Sequence, residues 1–474
     1  MKQLILSSLL FLTLLSDLAF AQKAKPVKVS AKPVAATAQK SKFKVAFVNR
    51  TLPNGLEVIV YPDAGVPLVT VELAVRNGSF TEPPEFNGLS HLYEHMFFRR
   101  NKAMVDGADY LREIGQLGIS YNGSTREEVV NYYFTTTSQY AGTAIRFIKD
   151  AVRYPVFDEA EFAREKEVVI GEIDRNESNP FFYLNRTLSD KMYFKYPTRK
   201  NPLGTRASVQ AATTDQMRLI QGRYYVPNNS AIVVTGDVKP DEIFRLVEQN
   251  FADWKRRPVD PFVEFPLVEH PPIAKSEGHI VEQPVQNVLV QIGWHGPSIG
   301  KDNEATYAAD VFSYIITQPD SRFQRSMVDS GLTVGVEMGY YTQRNVGPIM
   351  VTLVTTPDKA KAALKAVYAE IAQFDSPAYI TDAELANAKT ILESRDLFER
   401  EKLSEYAHTL GFWWSSTGID YFRGYHQTLR AITRNDTNRY VRTYIQGKPH
   451  VGVALLSPES QAQARLTADD LTGK

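Results

Sequence analysis

The sequence predicts an α+β protein made of two homologous α/β-sandwich domains, each an antiparallel-rich sheet with helices, joined by an extended linker. Three observations carry that expectation. Short runs of alternating hydrophobicity are interspersed with helical periodicity in both halves. Prolines at 258, 261, 266, 271, 272 and 284 interrupt the middle of the chain. A faint repeat closes each half: Tyr225-Val-Pro-Asn-Asn-Ser runs into Ala231-Ile-Val-Val, and Tyr444-Ile-Gln-Gly-Lys-Pro-His runs into Val451-Gly-Val-Ala.

Size and composition permit this. The chain has 474 residues, 43% hydrophobic and 23% charged, enough for two to four cores at roughly 100–200 residues per domain. Lysine plus arginine equals aspartate plus glutamate, 54 against 54, so no net field favours nucleic acid or an anionic membrane. Cysteine is absent, which removes disulfides, thiolate metal sites and cysteine nucleophiles.

At the N-terminus, Lys2, the apolar run Leu4 to Leu15 and Ala19-Phe20-Ala21 read as a signal peptide over 1–21, with cleavage before Gln22. Residues 22–42, rich in Ala, Lys, Pro and Val, read as a flexible tether. An exported chain without cysteine or a second apolar span is expected to be soluble, and a periplasm is the expected compartment.

The first domain is expected over 43–255. Pro53-Asn54-Gly55 is a turn that delivers strand Leu56 to Tyr61. Val69, Val71, Leu73 and Val75 alternate on one face of a second strand. Asn87-Gly88 opens a helix to about Phe98, another helix covers about Ala108 to Leu117, and strands follow near 120–123 and 129–136. Asp158 with Glu161 predicts a capping box on a helix running to about Arg175. Strand Ala231 to Thr235 and a helix from Asp241 to Phe251 close the half. The linker is expected over 256–284 and the second domain over 285–474, with strands near 288–292, 333–338 and 349–355 and a helix near 303–317.

The chemistry concentrates in His91-Leu-Tyr-Glu94-His95. Residues i and i+4 share a helix face, so both imidazoles can ligate one zinc ion. Glu94 is placed to act as general base on a water at that site. His91 and His95 are the only histidines among the first 269 residues, and Leu89, Leu92 and Met96 already give the helix an apolar face. The histidines are therefore not needed for packing.

This inverted order of the zinc-peptidase signature resembles the pitrilysin family, which includes insulin-degrading enzyme and the mitochondrial processing peptidase. Gly88-Leu-Ser-His91 matches the segment the family carries before its first ligand. Glu165-Lys-Glu-Val168-Val-Ile-Gly-Glu172 matches its third-ligand helix, with Glu172 77 residues after His95. The resemblance implies Glu172 as third zinc ligand and Glu165 as a carboxylate supporting the site; Glu167 between them is expected to be solvated. It also aligns Asn122-Gly123-Ser124-Thr125 with the family's edge strand beside the zinc, where Asn122 binds extended peptide by strand addition. Gly123 stands where the family usually has alanine, and an ordinary Asn-Gly turn is the competing reading.

One departure is informative. The family's C-terminal half supplies an arginine and a tyrosine that bind substrate and the oxyanion. In Phe323-Gln-Arg-Ser-Met327-Val-Asp-Ser-Gly331-Leu332-Thr-Val334 those positions are Met327 and Val334. The resemblance implies half of a clam-shaped peptidase, a zinc-binding subunit hydrolysing extended or unfolded peptides. A heterodimer with a related chain carrying the Arg/Tyr pair is expected, since a homodimer would lack the pair twice. The alternative is a non-catalytic structural or peptide-binding subunit, which would not need Glu94.

Overall fold

In a computed structural model, residues 46–474 are described. The signal peptide and the tether expected over 1–42 lie outside the described residues.

The first half begins with a hairpin. β1 (Val48–Thr51) turns at Pro53-Asn54-Gly55 into β2 (Glu57–Pro62), and Gly55 N–H donates to Leu52 O at 2.8 Å. β3 (Leu68–Val75), β4 (Ser120–Thr125), β5 (Val130–Thr137) and β6 (Ser230–Gly236) complete a sheet of order β1-β2-β6-β3-β5-β4. β2 and β6 run parallel; the other neighbours are antiparallel.

The second half repeats the plan. β7 (Glu277–Glu282), β8 (Val288–His295), β9 (Gly335–Tyr340), β10 (Pro348–Thr355) and β11 (Val451–Leu456) form a sheet of order β7-β11-β8-β10-β9. β11 pairs parallel with β7 and antiparallel with β8, as β6 does with β2 and β3. The two strands that end the sequence repeat thus hold equivalent places. Among the described residues, β7 lies within the Pro-rich segment and is an edge strand of the second sheet. No proline falls inside it, so its ladder to β11 is uninterrupted.

Each sheet is packed on both faces, which explains the near-continuous apolar runs in the central strands. On one face of the first sheet, Val58, Val60, Val71 and Leu73 meet Leu89, Leu92 and Met96 of helix Leu89–Phe97 and Ile145 and Ile148 of helix Ala141–Arg153. The other face is covered from the second half: Ile59, Ala74 and Val233 share a core with Tyr406, Ala407 and Leu410 of helix Leu403–Ser416. The exchange is reciprocal. Helix Pro180–Met192 of the first half sets Leu184, Leu188 and Met192 against Leu289, Val453 and Leu455 of the second sheet. Each fully buried Leu or Val in these seams contributes about 1.5–3 kcal/mol by leaving water.

Polar contacts fix the register of the exchange. Arg76 donates to Trp414 O at 3.1 Å and Ser415 O at 3.3 Å, and its guanidinium lies over the Trp414 ring. Glu72 on β3 has no exposed surface; it accepts from Asn131 Nδ2 at 3.1 Å and pairs with His408. The buried Glu128 accepts from the backbone N–H groups of Arg344 at 2.7 Å and Asn345 at 3.0 Å. Such buried carboxylates are tolerated because their oxygens are bonded.

Candidate metal and proton-transfer site

Helix Leu89–Phe97 starts where Gly88 adopts φ +85°, a left-handed conformation that disfavours side chains. A Cβ there would also lie 2.7 Å from Gly204 Cα. The helix N-terminus is completed from outside: the buried Glu82 carboxylate accepts from Ser90 N–H at 2.6 Å and Gly88 N–H at 2.8 Å. Burial pushes Glu82 up to about 7, against the lowering pull of those donors. Nothing in the sequence pattern singles out Glu82, which lies six residues before Gly88 in an irregular segment.

Helix Glu159–Glu177 lies beside it. Its Asp158 cap accepts from Glu161 N–H at 2.9 Å, but the return arm of the expected capping box is not made. The Glu161 carboxylate turns instead to Arg100, 2.8 Å away, because an ion pair holds it more strongly than a cap N–H.

Between the helices, His91, His95 and Glu172 bring one ligand atom each within 4.8 Å of one another, and they are the one such group found among the described residues. Glu172 Oε2 lies 3.5 Å from His91 Nε2 and 3.8 Å from His95 Nε2. Ligands about 2.1 Å from a tetrahedral ion lie roughly 3.4 Å apart, so the donor set and spacing fit zinc. The imidazoles meet edge to face, with ring centroids 4.9 Å apart. Burial lowers His91 to about 3, keeping it neutral, the ligating form.

Glu165 Oε2 lies 3.2 Å from His95 Nδ1, and Glu165 Oε1 lies 2.8 Å from Arg99 Nη2. The carboxylate therefore bridges His95 to Arg99 and turns His95 Nε2 toward Glu172. Burial opposes charge on both partners, and their contact overrides it: His95 is raised, chiefly by the Glu165 hydrogen bond, and Glu165 is lowered by His95 and Arg99. Glu167 is exposed.

Glu94 is nearly buried, and burial pushes its carboxyl up to about 7. Its Oε2 accepts from Thr125 Oγ1 at 2.7 Å. Thr125 ends β4, which is an edge strand of the first sheet, not an isolated turn. Asn122 is exposed on β4 and lines the cleft, with its Oδ1 accepting from Gly123 N–H at 3.0 Å. The cleft is about 380 Å³ and is lined by His91, Glu94, His95, Phe98, Arg99, Tyr121, Asn122, Gly123, Ser124, Thr125 and Glu172. Arg99 and Tyr121 carried no sequence signal: Arg99 follows the motif helix and is held at the cleft by Glu165, and Tyr121 reaches it on β4.

Every lining residue comes from the first half. Met327 is wholly buried in the second half's core, and Val334 is 46% exposed away from the cleft lining. Arg325 is exposed and turned to Asp320 O. The nearby tyrosines are engaged elsewhere: Tyr340 donates to Pro297 O at 2.9 Å, and Tyr341 accepts from Arg126 Nη1 at 3.3 Å.

Two packed sheets thus carry, at the edge of the first, a His/His/Glu group that could hold a metal ion and a carboxyl beside it. Residues 58–206 match the family described as Insulinase (Peptidase family M16), and residues 211–392 match its "Peptidase M16 inactive domain". The chain belongs to this family, the pitrilysin group. It is 24% identical over 363 residues to an uncharacterized zinc protease of Rickettsia felis, covering 76% of this chain and 85% of that one. It is 30% identical over 227 residues to human insulin-degrading enzyme, covering 46% of this chain and 22% of that enzyme. A protease from Helicobacter pylori has the same fold, with TM-score 0.77 at 21% identity over 86% of this chain and 99% of that one. The periplasmic protease PqqL from Escherichia coli superposes with TM-score 0.71 at 17% identity; this chain covers 50% of it and 92% of itself is covered.

Proposed function

We propose that this chain is the zinc-binding subunit of a metalloendopeptidase that cleaves extended or unfolded polypeptides. The observation that carries the reading is the convergence of His91, His95 and Glu172, their ligand atoms within 4.8 Å of one another, beside the Glu94 carboxyl. The names of the zinc protease relatives support it. The half expected over 43–255 acts as the zinc-binding domain, and the second half, whose sheet takes in β7 (Glu277–Glu282) from the expected 256–284 linker as well as strands of 285–474, as a peptidase-like domain without the motif.

Zinc, held by His91, His95 and Glu172, would supply Lewis acidity and lower the pKa of water. Glu94 accepts the proton of the attacking water and returns it to the leaving amine. Glu165 orients His95. The exposed edge of β4 pairs with the peptide backbone, and Asn122 contacts it there.

The second half lends the cleft no side chain, so the oxyanion-binding Arg/Tyr pair comes from a second, related chain. Export to the periplasm agrees with the signal-like N-terminus. Among the described residues no helix is long and apolar enough to cross a membrane.

The test is hydrolysis of a quenched, unstructured peptide by the zinc-loaded chain, alone and with a related chain that carries the pair. Activity only in the mixture is expected, with Glu94→Gln retaining zinc while losing about 10²–10⁴-fold in rate. Full activity of the chain alone overturns the need for a partner, and full activity of Glu94→Gln overturns the role of the base.

A further inference from the structure

The first half grips the loop of the second half that joins β9 to β10, residues 341–347. Val346 in this loop has φ +57°, a left-handed conformation that β-branched residues rarely adopt and that persists only where the surroundings hold it. The hold acts on the backbone. Lys200 directs all three of its ammonium N–H groups to the loop: to Asn345 O at 2.6 Å, to Val346 O at 3.1 Å and to Gln343 Oε1. Tyr193 OH donates to Val346 O at 3.0 Å, and its ring centroid lies 4.6 Å from the Lys200 ammonium. Glu128 takes the N–H groups of Arg344 and Asn345. A cation on the carbonyls and an anion on the N–H groups thus hold successive peptide units of one loop, and such charge-assisted bonds are the strong ones. Glu128 lies in the turn between β4 and β5, residues 126–129, where Arg126 also donates to Tyr341 OH at 3.3 Å. β4 pairs with β5 alone, so its placement depends on this turn as well as on that ladder.

We propose that Lys200 and the loop 341–347 form a latch through which the second half positions β4. Lys200 holds the loop in the strained conformation whose N–H groups reach Glu128, and the loop in turn fixes the hairpin that carries the peptide-pairing strand. Without Lys200, Val346 relaxes to negative φ and the Arg344 and Asn345 N–H groups move away from Glu128. The second half lends the cleft no side chain, and the latch gives it a part in substrate binding nonetheless. Lys200 is absent from the cleft lining and acts through the loop, so it is a positioning residue. The inference rests on the reading of β4 as the strand that pairs with peptide.

The experiment compares Lys200→Met and Tyr193→Phe with the unaltered chain. Leu364→Ala, a core substitution on helix Ala360–Ile371, controls for general loss of stability. Amide hydrogen exchange of the full chain is read over β4 and β5. KM and kcat are measured on the quenched peptide in whichever assembly is active, and zinc affinity by chelator competition. Lys200→Met is expected to speed exchange in the hairpin about 10- to 100-fold and to raise KM about 3- to 10-fold, with kcat and zinc affinity held within about twofold. Tyr193→Phe, which removes one hydrogen bond to the loop, moves exchange and KM the same way by about 2- to 5-fold. In Leu364→Ala the hairpin amides should loosen no more than the rest of the chain. Unchanged hairpin exchange in Lys200→Met overturns the latch. So does loosening spread evenly over the chain, a loss confined to kcat, or the same selective loosening in Leu364→Ala. If Lys200→Met does not fold, Tyr193→Phe decides by the same readings. Faster hairpin exchange with unchanged KM keeps the tie between loop and hairpin and overturns instead the reading of β4 as the peptide-pairing strand.

Discussion

The two halves share a sheet plan but not an edge. In the first, the helix after β3 is nine residues long and turns His91, Glu94 and His95 toward β4. In the second, helix Asn303–Ile316 follows β8 in the corresponding place, but Ala308, Ala309, Val311, Phe312, Ile315 and Ile316 bury it in the core. That helix carries no histidine, and Met327, before the corresponding edge strand β9, is wholly buried. One architecture thus supports a site only where a helix face is left unfilled beside an open strand edge. Filling the same space with apolar side chains converts it to scaffold, which then braces the half that carries the site by lending it helix Leu403–Ser416.

The comparison breaks first at the metal. Glu172→Gln removes the carboxylate that joins the histidines, and stoichiometric zinc in the purified chain should be lost, as read by metal analysis. Next comes an attempt to give the second half the family's arginine. Met327→Arg should not activate the chain; it places a charge in a sealed core and should cost about 3–5 kcal/mol in denaturant unfolding. The shared core predicts that Leu410→Ala, though distant in sequence from the first sheet, destabilises by about 2–5 kcal/mol in one cooperative transition. Two separate transitions would mean that the halves are independent.

A smaller effect sharpens the site. Glu165→Gln keeps the shape but weakens the hold on His95, and zinc affinity should fall about 10- to 100-fold in chelator competition. The smallest concerns Glu82. Its folded pKa, about 7, lies above the value near 4.5 expected when unfolded. Its contribution to stability is therefore full below about pH 4.5 and lost as pH rises through 7. Unfolding free energies at pH 5 and pH 8 should differ less in Glu82→Gln than in the unaltered chain.

Strand and helix positions were legible wherever periodicity was strong, as in β3, where Val69, Val71, Leu73 and Val75 all face the core of the motif helix. Helix Ala141–Arg153 carried an equally amphipathic pattern that sequence reading passed over. The second strand-sheet pairing of Glu277–Glu282 was hidden by the prolines around it. The candidate metal ligands were readable as a group because two lie one helical turn apart, and the third lies in a segment resembling the family's ligand helix. Glu82, Arg99 and Tyr121 were not readable, since each meets the site through loops or strands of different register.

The sequence by itself determined the local chemistry: which side chains share a helix face, where turns fall, and that two similar units follow one another. Local geometry follows from backbone periodicity, which a sequence records directly. Tertiary structure alone decided that each half completes the other's sheet, that Met327 is core, and that β4 closes on Glu94 through Thr125. Those outcomes depend on which surfaces meet, and contacts between residues far apart in the chain leave no periodic trace in it.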